Sequence, residues 1–186
     1  MLACAYGVLA PRTMRRGPAR TACRAVNFEN ELFARQLQGK SFLCTQCGKC
    51  CTGEGEVWVS SEELLRISEH LHLTPQAFQR RYTEKHSGCK GWHLLLTKGE
   101  EQNCVFLQDK QCSIHAVRPR QCATYPWWPE LMDPADWQRE KDNICEGFDH
   151  PDAPVLDVGS AAAQLKQATH DVQVRTLLQQ ERKDRI

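Results

Sequence analysis

At 186 residues and 21.3 kDa the chain has room for one domain and a tail. Its 24 Lys+Arg against 23 Asp+Glu, with 25% charged and 41% hydrophobic residues, exclude both a polyanion binder driven by bulk charge and a highly charged disordered chain. No stretch approaches the roughly 18 uninterrupted apolar residues of a membrane span, so the anomaly is the cysteine content, 11 residues or about 6% of the chain.

Residues 1–26 hold Arg12, Arg15, Arg16, Arg20 and Arg24 and no acid; the first carboxylate is Glu29. An Arg- and Ala-rich, acid-free opening is the composition of an organelle transit peptide, with the chloroplast ahead of the mitochondrion as destination. Secretion fits less well, because the arginines follow the apolar run Met1–Ala10; a featureless extension is the bland alternative. Removing this segment takes five arginines and no acid, leaving 19 basic against 23 acidic residues and a formal charge of −4. A mildly acidic body argues against a nucleic-acid partner held through phosphates. Cys4 and Cys23 would leave with the leader. The reading therefore divides the chain into a leader, 1–26, a cysteine-cluster domain, 27–157, and a C-terminal helix, 158–186.

Asn27–Lys40 predicts a helix with Phe28, Leu32, Phe33 and Leu37 as its apolar stripe and Gly39 at its C-terminal cap. The knuckle Cys44–Cys51 follows, then a turn marked by Gly53 and Gly55 and a short strand at Val57–Val59. Ser60 and Glu63 match a capping box opening a helix with Leu64, Ile67 and Leu71 on one face. Thr74-Pro75 starts another, with Phe78 and Tyr82 inward. These two helices form an insert between cysteine clusters. Trp92–Thr97 reads as a buried strand, and Val105–Leu107 with Ser113–His115 as a hairpin around the polar turn Gln108–Gln111. Cys122 falls in a short helical turn or loop. Pro134, Pro151 and Pro154 predict irregular chain to about residue 157, and Gly159–Asp184 a peripheral helix carrying Leu165, Ala168, Val172 and Leu178. The expected fold is α+β: a small, irregular, metal-clamped domain with short strands. Regular structure is thin between residues 99 and 155, so chain entropy there requires a clamp.

The cysteines supply it. Cys44, Cys47, Cys50 and Cys51 place four thiols in eight residues. A Cys-x2-Cys turn brings two sulfurs onto one ion while backbone amides curl toward the thiolates; Gly48 gives the turn its freedom and Lys49 adds positive charge. Three cysteines at successive x2 spacing also match the run that grips three corners of a [4Fe–4S] cluster. Cys51, adjacent to Cys50, is poorly placed to serve the same ion. Cys104, Cys112, Cys122 and Cys145 complete either two four-ligand sets or one polynuclear cluster. Cys89, between Gly88 and Lys90, reads as an exposed bystander. The bland alternatives are disulfides, disfavoured in a reducing compartment, and buried free cysteines.

The run CTQCGKCC, followed by VWVSSEELLRIS, then CVFL, CSIHAVRPRQCATYPW and ICEG, resembles the CxxCxxCC family of zinc- or iron-chelating domains, the YkgJ-like cysteine-cluster proteins. The resemblance runs from about Phe42 to Phe148 and implies a small metal-binding domain whose motif falls on the eight cysteines just named. His115 stands where Tyr is commoner and Glu146 where Pro is commoner; Cys89 matches no family position.

The spacing leaves the metal open. The ferredoxin-like triple favours an iron–sulfur cluster, whereas the missing second run and missing terminal Cys-Pro keep zinc in contention. His115 is a weaker ligand candidate, since eight thiols suffice, and the other histidines show no metal spacing. Tyr125-Pro126-Trp127-Trp128 reads as an aromatic lid over the thiolates, or else as a protein-docking patch, and Arg118 as a counter-charge. The functional expectation is a metal-binding module: a carrier, a structural centre or a unit for a protein partner, acting without membrane or nucleic acid. The alternative is an iron–sulfur-dependent enzyme of redox or methyl-transfer type. It has little support, because neither a G-x-G-x-x-G loop nor a C-x3-C-x2-C run is present.

Overall fold

The computed structural model describes residues 31–53, 55–84 and 89–183. The expected leader, 1–26, and the expected start of the first helix lie outside the described residues. Residues 31–37 are helical and form α1. Leu37 is buried, Leu32 is exposed, and Gly39 takes the left-handed conformation at the helix end.

β1 (Trp58–Ser60) runs into α2 (Ser61–His70). The capping box forms as expected: Ser60 Oγ accepts the Glu63 amide, and the Glu63 carboxylate accepts the Ser60 amide at 2.9 Å. The other oxygen of Glu63 accepts the backbone N–H of Arg120. One buried carboxylate thus starts α2 and also seats α4 (Arg120–Thr124), the helix that carries Cys122. α3 (Pro75–Tyr82) begins at Thr74, whose Oγ1 accepts the Ala77 amide at 3.2 Å. Leu64, Ile67 and Phe78 meet Val59, Leu95, Phe106 and Ile114 in a first core. Within it the rings of Phe78, Tyr82 and Phe106 lie 4.9 to 6.1 Å apart.

The strand expected over Trp92–Thr97 is divided. β2 (Trp92–Leu94) pairs antiparallel with β1, Trp58 opposite Leu94. Leu95 and Leu96 then donate to the carbonyls of Val57 and Tyr82, after which β3 (Thr97–Lys98) turns back onto β4 (Asn103–Cys104). The expected hairpin has its turn where predicted but shorter arms, β5 (Leu107–Gln108) and β6 (Gln111–Cys112). Asp109 and Lys110 both have positive φ, 49° and 64°, the backbone a two-residue hairpin turn requires.

The stretch expected to be irregular contains a ten-residue helix, α5 (Pro134–Asn143). Asp133 caps it by accepting the Ala135 amide at 2.8 Å, and Pro134 occupies its first position, where a missing N–H is harmless. Trp137 on α5 enters a second core with Leu37, Trp127, Cys145, Phe148 and Leu165. α6 (Val158–Lys183) lies along the flank with Ala161, Leu165 and Ala168 buried, and its Asp171 is paired with Arg120 at 2.9 Å. The result is a small α+β domain of helices and two-stranded antiparallel pairs. Among the described residues no helix is long and apolar enough to cross a membrane.

Candidate metal centre

Two glycines bring the cysteine segments together. Gly48 has φ of 75° and closes the 3-10 turn Lys49–Cys51, with the Cys51 amide donating to its carbonyl at 2.9 Å. A Cβ at this position would run into the Lys110 carbonyl, so the knuckle lies directly on the β5–β6 turn. A Cβ on Gly147 would likewise run into the Leu43 carbonyl. There the chain pairs in extended form: Leu43 donates to Gly147 and Asp149 to Ser41, both at 2.9 Å, with Phe42 opposite Phe148. This bridge sets Cys145 beside the knuckle. Glu146 fastens it further, taking Lys49 Nζ at 2.5 Å and Thr45 Oγ1 at 3.2 Å. Lys49, expected to act on the thiols, therefore has a carboxylate as its first partner.

All eight predicted thiols line two adjoining cavities. Cys44, Cys47, Cys50, Cys51, Cys112 and Cys145 border one of about 150 Å3. Cys50, Cys51, Cys104 and Cys122 border the other, of about 280 Å3. Each cavity is lined by cysteines from both halves of the sequence. Cys51 borders both cavities, beside Cys112 in the smaller and Cys104 in the larger. Each of the nine cysteines among the described residues is a free thiol.

Protonation follows this geometry. Contacts with the neighbouring thiols, then burial, push Cys51 up, so it retains its proton and donates. Cys50, Cys104 and Cys112 compete for that one proton, and the thiol that accepts it is drawn below the ordinary value against the cost of burial. Backbone amides assist at all three, and the Arg118 guanidinium assists Cys50 and Cys112. Burial pushes Cys122 up, as do the charges of Cys104, Cys50 and Cys112. Burial also raises Cys145, partly offset by the Gly147 amide. The site combines thiols disposed to ionise with protonated neighbours that a cation would have to deprotonate.

The surrounding residues divide less neatly than expected. Arg118 fills the counter-charge role, and its Nη1 donates to His115 Nε2 at 2.5 Å, which ties up that ring nitrogen. His115 borders the smaller cavity without presenting Nε2 to the thiols. Tyr125 and Trp128 line the thiol cavity. Trp127 does not; it is buried in the second core and stacked on Trp137 at 5.9 Å. Only part of the expected lid therefore covers the thiols. Cys89 is the clearest correction: it is 3% exposed, packed with Trp58 and Leu94, and its Sγ donates to the Arg175 carbonyl at 3.7 Å. It is neither exposed nor near the other thiols.

The model of the CxxCxxCC family, described as a putative zinc- or iron-chelating domain, matches residues 43–147. The chain belongs to this family. No solved structure matches it. The matched segment spans the eight thiols, from the knuckle to Cys145, and Gly147 at its end is the residue that packs on Leu43. Metal binding by this CxxCxxCC domain agrees with its donors, since thiolates suit zinc and iron–sulfur clusters alike. Among the described residues no three His, Cys, Asp or Glu side chains already form a metal-holding group. The thiols are neighbours along a seam, and closing them on an ion takes rearrangement of their side chains, as expected where binding and local ordering are coupled.

Proposed function

We propose that the chain holds zinc or an iron–sulfur cluster through all eight thiols, Cys44, Cys47, Cys50, Cys51, Cys104, Cys112, Cys122 and Cys145. It does so as a metal carrier, a structural centre or a module for a protein partner. The observation that carries this reading is the position of Cys51, which borders both thiol cavities, beside Cys112 in one and Cys104 in the other. Zinc there would supply cross-links between segments, and a cluster would add electron transfer. The chain's own residues do the rest. Gly48 and Gly147 let the segments approach, the Glu146 carboxylate pins the knuckle to Cys145, and Arg118 offsets thiolate charge. Tyr125 and Trp128 limit water at the larger cavity, with the Tyr125 hydroxyl anchored to Glu140 at 2.7 Å.

X-ray absorption at the zinc and iron edges of the anaerobically purified full chain tests this. The expected result is an all-sulfur first shell, at about 2.3 Å if the metal is zinc. A shell of oxygen and nitrogen alone would overturn the proposal. A colourless zinc protein would remove the cluster alternative, and a brown one with acid-labile sulfide would remove zinc. The same proposal keeps residues 1–26 as an organellar leader. Fusing them to a fluorescent reporter should direct it to chloroplasts, and a reporter that stays diffuse counts against it.

A further inference from the structure

A third cavity, of about 290 Å3, lies between β1, α4, the turn Pro129–Met132 and α6. Gln121, Trp128 and Glu140 border both this cavity and the larger thiol cavity, so the two share a wall. Three indoles line it, Trp58, Trp92 and Trp128. Four carboxylates do so as well: Glu63, Glu130, Glu140 and Asp171, against one cation, Arg175.

The existing partners show what remains to be satisfied. Glu63 is engaged by the amides of Ser60 and Arg120. Asp171 is paired with Arg120 at 2.9 Å and also accepts from Gln167. Glu140 accepts a neutral hydroxyl from Tyr125. Glu130 is exposed, and its charge acts on Arg175 without a direct ion pair among the described residues. Counting Arg120 and Arg175 together, the lining keeps two carboxylates in excess. The chain also shows which chemistry the indoles accept. The Arg175 guanidinium carbon lies 5.8 Å from the centroid of Trp58 and 5.1 Å from that of Trp92. Trp128 has no cation over its ring among the described residues, and its Nε1 is fixed to the Gln121 carbonyl at 2.9 Å.

We propose that this cavity binds a small organic cation, a guanidinium or alkylammonium group seated against Trp128 with Glu130 and Glu140 as counter-charges. Aromatic faces attract cations through their quadrupole, and desolvation strengthens the attraction. The volume sits at the small end of ligand pockets, roughly 300 Å3 and upward, so it suits a compact molecule with a single charged head.

The test is titration of the full chain, with the metal it carries when purified, by butylguanidinium, following the indole N–H signals of Trp58, Trp92 and Trp128 by NMR. Butylurea is the neutral isostere and butyrate the anionic control. The expected result is saturable movement of these indole signals by butylguanidinium, with butylurea at least about tenfold weaker. Glu130→Gln, at an exposed site that leaves the fold intact by circular dichroism, should weaken butylguanidinium about threefold or more. No saturable movement, equal binding of butylurea, or an unchanged affinity in Glu130→Gln would overturn the proposal. Tighter binding of butyrate would also overturn it, by making Arg175 the anchor of an anion site.

Discussion

The core around Val59, Ile67 and Phe78 and the core around Trp127, Trp137 and Phe148 differ in what brings their segments together. The first is assembled from chain that is nearly continuous, between Val57 and Val117, with two helices whose starts are capped by their own side chains. The second draws Leu37, Trp127, Phe148 and Leu165 from four distant parts of the sequence. It is joined by the short pairing of residues 41–43 with 147–149 and by edge contacts such as Phe42 with Phe148 at 5.7 Å. The thiols occupy the boundary: Cys104 and Cys112 pack on the first core and Cys145 belongs to the second. Local sequence can order the first core, whereas closure of the second spends chain entropy over long loops and gains most from a cross-link between segments.

This contrast yields an ordered set of expectations. Removing metal from the full chain with an anaerobic chelator should have the largest effect. Amide exchange should quicken at residues 41–51, 104–112 and 145–149 while α2 and α3 keep their protection. Equal loss of protection in both cores would erase the distinction. Phe78→Ala empties a fully buried ring site in the first core and should cost about 4 kcal/mol in denaturant unfolding. Gly48→Ala forces a side chain onto a left-handed backbone and the Lys110 carbonyl, and should cost about 2–3 kcal/mol and lower metal content.

Asp149 tests the second core. Burial opposes its charge, but the Ser41 amide, Trp137 Nε1 and Lys141 outweigh that cost and hold its carboxyl below the ordinary value. A depressed carboxyl contributes fully above its unfolded value, about pH 4, and loses that contribution as pH falls through the lower folded one. Asp149→Asn should therefore cost about 2 kcal/mol at neutral pH and flatten the acid limb of stability measured by unfolding against pH. The smallest effect belongs to Ser60→Ala, which removes one cap from α2 and should cost about 1 kcal/mol without changing metal content.

Features written within a few residues were legible in the sequence. The Ser60–Glu63 box, the Thr74-Pro75 helix start and the Asp109-Lys110 turn all depend on neighbours in the chain. The same local chemistry is present at Asp133-Pro134, where the proline, expected to break regular structure, stands at a helix start. What escaped depends on long-range contact. The burial of Cys89 comes from the α6 region near Arg175, 86 residues away, so flanking Gly88 and Lys90 pointed the wrong way. The lining of each cavity by cysteines from both halves and the Glu146–Lys49 link likewise arise only when Gly48 meets Lys110 and Gly147 meets Leu43. Spacing names ligands within a turn but cannot say which turns will face one another.

The central claim is that thiols from both halves hold the metal together at Cys51. Metal and acid-labile sulfide per chain, measured on the anaerobically purified full chain and on Cys51→Ser, test it most directly. The account predicts near-stoichiometric zinc or iron in the parent and a loss of at least half in the variant, with α2 and α3 still folded by amide exchange. A parent chain that is folded, metal-free and carries all its thiols reactive would contradict it, as would full metal retention in Cys51→Ser.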